Sequence, residues 1–301
     1  MLIKQKQMLA VVISSAIIIT FLIIFFGFNN AEKESRVDVI EEEIISAVAT
    51  TSTTTTQVIG NSVEGRNIEN YTFGNGSTTL LFVGGMHGGY EWNSVLLAYQ
   101  FIDELKAGKI EIPESVKIEI IPNLNPDGVY KVTGKEGRFT NLDVKTETAN
   151  GEGRFNSHGV DLNRNFDCKW QPTSTWKNKK VSAGMSAFSE PESQTLKKLV
   201  EEKNPSAVIF WHSQANAVYA SECEKGILPD TMKLMNTYAQ ASGYKAVSTF
   251  DAYPVTGDAE GWLASINIPA ITVELSSHEN IEWTKNKAGV EALIESYRII
   301  K

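Results

Sequence analysis

Four short apolar runs, 79–85 (TLLFVGG), 117–125 (KIEIIPNLN), 207–213 (AVIFWHS) and 269–275 (PAITVEL), punctuate the chain and are bounded by Gly, Pro, Asn or Ser. Runs of this length and bounding read as strands. The segments between and after them carry helical period and predict helices over 91–106, 190–203, 229–242 and 286–300. In the first, Trp92, Val95, Leu96, Tyr99, Ile102 and Leu105 recur three and four residues apart and define one apolar face. Strands alternating with helices specify an α/β fold with a mixed, largely parallel sheet flanked by helices. No repeat of solenoid period interrupts this pattern.

The N-terminus follows a different rule. No charged residue occurs between Lys6 and Glu32, and residues 9–28 (LAVVISSAIIITFLIIFFGF) are almost wholly apolar. That is about the ~20 residues a helix needs to cross a bilayer. With Lys4 and Lys6 before it, the positive-inside bias leaves residues 1–8 as a cytoplasmic tip and sends the remainder outside. A cleaved signal peptide is the rival, but its apolar stretch is usually shorter, roughly 7–15 residues. Residues 29–56 contain a charged stretch and the Thr-rich run ATTSTTTTQ and read as a stalk, so the folded domain is expected over 57–301.

The 301 residues carry a formal net charge of −8, which argues against a nucleic-acid partner because phosphate neutralisation needs clustered Lys and Arg. The two cysteines, Cys168 and Cys223, sit in polar, loop-like contexts. Placed outside the membrane they are candidates for a disulfide, with two unrelated buried thiols as the alternative.

Candidate chemistry gathers where the strands end. His87 follows the first run, Asn125 and Asp127 the second, His212 ends the third and Glu274 closes the fourth. Open α/β sheets hold their ligand crevice at the carboxyl ends of strands, so these segments are expected to converge. Four histidines occur, His87, His158, His212 and His278. A catalytic zinc takes three protein ligands and keeps one position open, and two His plus one carboxylate is a well-attested set. His87 and Glu91 lie in GGMHGGYEWN, where glycines let the chain turn sharply.

With that element, NPDG at 125–128, GVDLNRNF at 159–166, SEPE at 189–192 and VEL ahead of Ser276, the chain from about residue 57 onward resembles the zinc metallocarboxypeptidases, including the bacterial members that trim peptidoglycan peptides. The resemblance implies a zinc-carboxypeptidase-like fold, one Zn2+ per chain held by His87, Glu91 and His212, and Asp161 accepting a hydrogen bond from a ligand histidine. It implies that Asn163 and Arg164 hold the substrate's terminal carboxylate and that Glu274 is the general base. Arg154 best matches the arginine that stabilises the developing oxyanion, with Arg138 its competitor. Tyr253 resembles the mobile tyrosine that covers the substrate, and Glu260, two residues before Trp262, occupies the position that lines the pocket for the C-terminal side chain. A carboxylate there implies preference for C-terminal Lys, Arg or the free amine of diaminopimelate. The chain departs from the family at one point: three residues, not two, separate His87 from Glu91.

The leading expectation is therefore a membrane-anchored, extracytoplasmic zinc metallocarboxypeptidase acting on peptides with a free C-terminal carboxylate, from proteins or the cell wall. A zinc amide hydrolase acting on N-acyl amino acids is the second reading. A non-catalytic peptide-binding module of the same fold is the third, and the presence of Glu274 argues against it. No role is expected for His158 or His278.

Overall fold

A computed structural model describes residues 54–298. The eight-stranded main sheet has at its centre four parallel strands in the order β4 (Val116–Ile121), β3 (Thr78–Val83), β7 (Ala207–Ser213) and β12 (Ala270–Leu275). Beyond β4 the sheet continues antiparallel through β2 (Asn67–Phe73) to the edge strand β1 (Thr55–Asn61). Beyond β12 it continues through antiparallel β8 (Ala217–Ala220) to β11 (Lys245–Val247), which runs parallel to β8. Two hairpins stand apart: β5 (Thr173–Trp176) with β6 (Lys179–Ser182), and β9 (Glu222–Cys223) with β10 (Gly226–Ile227).

Helices cover both faces, as a sheet apolar on both sides requires. On one face α1 (Trp92–Lys106), α4 (Pro229–Ser242) and α6 (Trp283–Ser296) bury Val95, Tyr238 and Leu293 against Phe82, Trp211 and Val273. On the other, α3 (Pro191–Lys203) and α5 (Ala259–Ser265) bury Leu196, Leu199, Trp262 and Leu263 against Leu81, Val208 and Phe210. The side-chain period of two along β7 produces this partition: Ile209 and Trp211 point one way, Val208, Phe210 and His212 the other. Phe82 stacks on Trp211 with centroids 5.4 Å apart at the middle of the first layer, where truncation to alanine costs about 3–5 kcal/mol.

The predicted helices and strands are present, with differences that have physical causes. Helix α1 buries more than one stripe: Leu97, Ala98 and Phe101 are enclosed along with the predicted positions, while Leu96 is only partly covered. The last helix begins at Trp283, three residues earlier than expected, directly after Glu282 in a left-handed conformation. Thr55 and Thr56, read as stalk, instead pair with Thr72 and Tyr71 in β1. An edge strand tolerates exposed, polar β-branched residues that a packed core would not. Cys168 and Cys223 are not loop-exposed: both are buried, Cys223 lies in β9, and they are joined in a disulfide. The predicted tip, the anchor over 9–28 and nearly all of the stalk lie outside the described residues. Among the described residues no helix is long and apolar enough to cross a membrane.

Candidate metal centre and cleft

The chain runs from β3 to β4 on one side and later enters β7 on the other, so the strand order reverses between β3 and β7. Outside the carboxyl ends of such a pair a sheet leaves a crevice. His87 lies four residues beyond β3 and His212 near the end of β7. Glu274 sits directly opposite His212 in the β12–β7 register. Its strand alternates cleanly: Ile271, Val273 and Leu275 enter the core while Thr272 and Glu274 face the cleft.

After β3 the chain makes a short 3-10 turn, Gly88–Glu91, before α1. Gly88 adopts φ +44°, and a Cβ on it would come within 2.8 Å of the Gly153 carbonyl. This turn absorbs the extra residue between His87 and Glu91. Glu91 Oε1 lies 2.8 Å from His87 Nδ1, and Glu91 Oε2 lies 2.8 Å from His212 Nδ1. The two Nδ1 atoms are 3.1 Å apart. A tetrahedral zinc with bonds of about 2.0–2.1 Å separates neighbouring ligand atoms by about 3.3 Å, so the three side chains fit the ion with little movement. All three are buried, and they form the one such metal-capable cluster among the described residues.

The electrostatics agree with a cation site. Burial opposes a charged His212, yet Glu91 and Glu260 outweigh it and raise its pKa to about 10. Burial likewise disfavours ionised Glu91, but His87 and His212 hold it far below the usual carboxylate range. Glu274 moves the other way, raised to about 8 by burial and then by the negative charge of Glu91. Its Oε2 is enclosed with no hydrogen-bond partner.

The other predicted residues are distributed around this centre, with Arg138 the exception. Asp161 is buried between His87 and Arg154: its Oδ1 lies 3.4 Å from His87 Nε2, and its Oδ2 accepts from Arg154 Nε at 2.9 Å. The guanidinium of Arg154 is 3.8 Å from Glu91 Oε1 and 4.5 Å from the centre of the Trp176 ring. Arg138, its competitor, is remote from the cleft, paired with Asp103 at 2.7 Å and stacked on Tyr99. Asn163 lines the cleft and commits its Oδ1 to the Ala259 amide. Arg164 is buried and donates to the backbone carbonyls of Asn163 and Thr175, with no carboxylate partner among the described residues. Glu260 lies on the cleft floor, accepting from Thr272 Oγ1 at 2.9 Å and standing 3.5 Å from His212 Nε2. Tyr253 closes the rim, packed against Phe250. The cleft has a volume of about 500 Å³.

Three sequence signals prove to be scaffolding. Asn125 caps α2 (Pro126–Thr133) and donates to the Arg154 carbonyl, while Asp127 turns away to Ser62 and Arg66 instead of joining the cleft. A Cβ at Gly128 would come within 2.3 Å of the Gly153 carbonyl, which accounts for the glycine of NPDG. In SEPE, Glu190 and Glu192 both accept from Asn156 and fasten the loop before Asp161 to α3. His158 is an exposed partner of Glu190.

His278 has a structural part that the sequence did not reveal. Asn93 Nδ2 donates to the carbonyls of Ser277 and Asn280, which leaves its Oδ1 to accept from Ser213 Oγ. The hydroxyl proton is thereby committed, so His278 Nδ1 must be the donor to Ser213 Oγ at 2.7 Å. That fixes the tautomer and leaves a buried, unprotonated Nε2, and burial lowers the pKa accordingly. Tyr90, Trp176 and Lys177 also line the cleft and were not singled out. The extra residue before Glu91 was the available signal for Tyr90; nothing marked the polar β5–β6 hairpin.

A mixed sheet with four central parallel strands, a His–Glu–His cluster able to hold a metal at its switch point, a carboxylate against one of those histidines and a second buried carboxylate beside them fit a zinc hydrolase of the carboxypeptidase type. Residues 41–290 match the family described as zinc carboxypeptidase, and the chain belongs to that family, whose members use one zinc ion. Among curated proteins it is 25% identical over 248 residues to gamma-D-glutamyl-L-diamino acid endopeptidase 1 of Lysinibacillus sphaericus, covering 74% of this chain and 60% of that relative's length. Among solved structures, the murein-tripeptide amidase of Escherichia coli O157 superposes with a TM-score of 0.58 at 22% identity, covering 82% of this chain and 92% of the other. Bovine thrombin-activatable fibrinolysis inhibitor gives 0.61 at 19% identity, covering 89% and 94%. At these identities the two structures speak to the fold alone.

Proposed function

We propose that this protein hydrolyses the amide bond that releases a C-terminal, amine-bearing residue from cell-wall peptides. The observation that carries the reading is a buried cation and a buried carboxylate lining one cleft. The hydrogen bonds of Arg164 go to backbone carbonyls, with no carboxylate bonded to it among the described residues, and Glu260 stands on the floor of the same cleft, shared with Thr272 and His212. A buried guanidinium without a bonded carboxylate is costly, so a substrate's terminal carboxylate satisfies Arg164, while an amine on its last side chain brings a cation to Glu260. The name of the Lysinibacillus relative points the same way, to gamma-D-glutamyl-L-diamino acid linkages.

In this assignment His87, Glu91 and His212 hold zinc, with Asp161 fixing the His87 ring through Nε2. Zinc, when bound, acts as a Lewis acid on the scissile carbonyl and acidifies water. Asn163 and Arg164 hold the terminal carboxylate. Arg154, steadied by Asp161, donates to the carbonyl oxygen as negative charge develops there. Glu274 takes the proton from the attacking water and delivers it to the leaving nitrogen. Positive charge between the two histidines and Glu91 favours its ionised form, offsetting the burial that holds its proton. Tyr253 closes over the bound end.

We place the catalytic domain, residues 57–301 extended by the two β1 residues before it, outside the membrane, carried by an anchor over 9–28 and a stalk over 29–56. The apolar length behind Lys4 and Lys6 supports this, and the Cys168–Cys223 disulfide suits an oxidising compartment.

The test is zinc content of the full-length chain together with hydrolysis of peptides ending in Lys, Leu and diaminopimelate, run beside N-acyl amino acids. Stoichiometric zinc and at least tenfold preference for Lys or diaminopimelate over Leu, lost in Glu260→Gln, is the expected result. Turnover confined to N-acyl amino acids identifies the amide hydrolase instead, and a folded chain without zinc or turnover identifies a binding module.

A further inference from the structure

We propose that Lys177 and Tyr90 form a second anion-binding subsite, which takes a free carboxylate on the residue N-terminal to the scissile bond. The inference rests on the peptidase reading above and adds the other half of the substrate.

Lys177 and Asn178 form the tip of the β5–β6 hairpin, between the paired residues Trp176 and Lys179. Lys177 takes a left-handed backbone, φ 55°, a conformation that disfavours a residue with a side chain. Its ammonium lies at the mouth of the cleft. Nζ donates to the Tyr90 hydroxyl at 3.2 Å and stands 5.1 Å from the centre of the Trp176 ring. That hydroxyl is its one polar contact among the described residues, and no carboxylate pairs with it. Lys169 lines the same cleft, and Lys179 stands 5.6 Å from Trp176. In a chain of net charge −8, these lysines are cations free to attract an anion on approach.

The position of the subsite follows from its neighbours. Arg154, assigned to the scissile carbonyl, shares the Trp176 and Tyr90 rings with Lys177. The terminal-residue pocket is built instead from Glu260, Thr272 and Asn163. Lys177 therefore stands at the Arg154 end, where the acyl half of the substrate lies. Tyr90 comes from the turn that is one residue longer than the family's usual spacing, and its ring is held by Trp176 at 5.2 Å and His278 at 4.4 Å. The added residue thus supplies a rigid hydroxyl that holds the lysine over the cleft.

A γ-linked glutamyl residue is the chemistry that fits. Its side-chain carboxyl forms the scissile amide, so its α-carboxylate stays free a few bonds from the reacting carbonyl. An ordinary α-linked peptide offers no anion there unless its side chain provides one.

The experiment compares a γ-D-glutamyl-L-lysine peptide with its analogue whose glutamyl α-carboxyl is an amide, using the zinc-loaded full-length chain. The free acid is expected to show at least tenfold higher kcat/KM. Lys177→Gln should abolish that difference, and Lys177→Glu should reverse the preference. Calorimetric binding of both peptides to the Glu274→Gln variant gives a readout without turnover, with the acid expected to bind at least tenfold tighter and Lys177→Gln to equalise the two. Failure of turnover with this binding difference intact overturns the peptidase reading alone. An unchanged acid-over-amide preference in Lys177→Gln, in rate or in binding, overturns the subsite.

Discussion

The floor and the wall of the cleft are built on opposite plans. The floor, His212, Glu274 and Thr272, projects from two central parallel strands whose register sets the residues side by side. Its charges answer one another: Glu91 bridges two imidazoles, and Glu260 approaches the second from below. The wall, Arg154, Arg164 and Lys177, comes from the long irregular segment between β4 and β7 and is cationic. Among the described residues only Arg154 of the three has a carboxylate partner. A sheet supplies the fixed distances that a metal demands, while loops fastened at a few points supply charges that a substrate completes.

The comparison is broken most severely at the floor. His212→Ala is expected to remove zinc and all measurable turnover, since one imidazole from a three-ligand cage cannot be spared; elemental analysis and assay of the same sample check both. Next, Glu274→Gln should lower kcat by about 10²–10⁴-fold while zinc stays stoichiometric, which separates proton transfer from metal holding. In the wild type the acid limb of kcat/KM should lie below about 8, the value burial gives Glu274, because activity falls as the base gains its proton and bound positive charge moves that step downward. On the wall, Arg164→Ala should raise KM at least tenfold with a smaller change in kcat, the pattern of a lost carboxylate anchor measured with Lys-terminated peptides.

Two smaller effects sharpen the division. The disulfide closes a segment of 55 residues that carries the β7 end of the floor, and its removal in Cys168→Ala/Cys223→Ala should cost about 4 kcal/mol of unfolding free energy in denaturant. His278 has its folded pKa lowered by burial, so the stability it contributes is present above its unfolded value of 6.5 and is lost as pH falls below that. The slope of stability between pH 7 and pH 5 should be reduced in His278→Asn, read from urea midpoints.

The floor was legible in the sequence and most of the wall was not. Strands 207–213 and 269–275 announce themselves by apolar runs that end in His and Glu, so position on the strand predicts position in the crevice. Asp161, Asn163 and Arg164 were found because they sit in a motif, not because their segment has a period. The β5–β6 hairpin has four exposed residues in a row at its tip, from Lys177 to Lys180, and strands of four residues, with Ser174 and Trp176 buried in one and Val181 alone in the other, are too short for their alternation to stand out. The extra residue in the metal turn was visible only as a departure in spacing. What it does, placing Tyr90 between Trp176 and Lys177, depends on contacts across more than eighty residues of chain. Asp127 shows the converse: adjacency to a strand end suggested the cleft, but Arg66 and Ser62 claim it.

Glu260 touches both Thr272 in the pocket and His212 at the metal centre. Under the specificity proposed above, exchanging this carboxylate for an apolar side chain to admit bulky C-terminal residues would also remove the group beside one imidazole. Pocket and metal centre are thereby coupled through a single side chain, and a change of specificity would call for a compensating partner beneath His212.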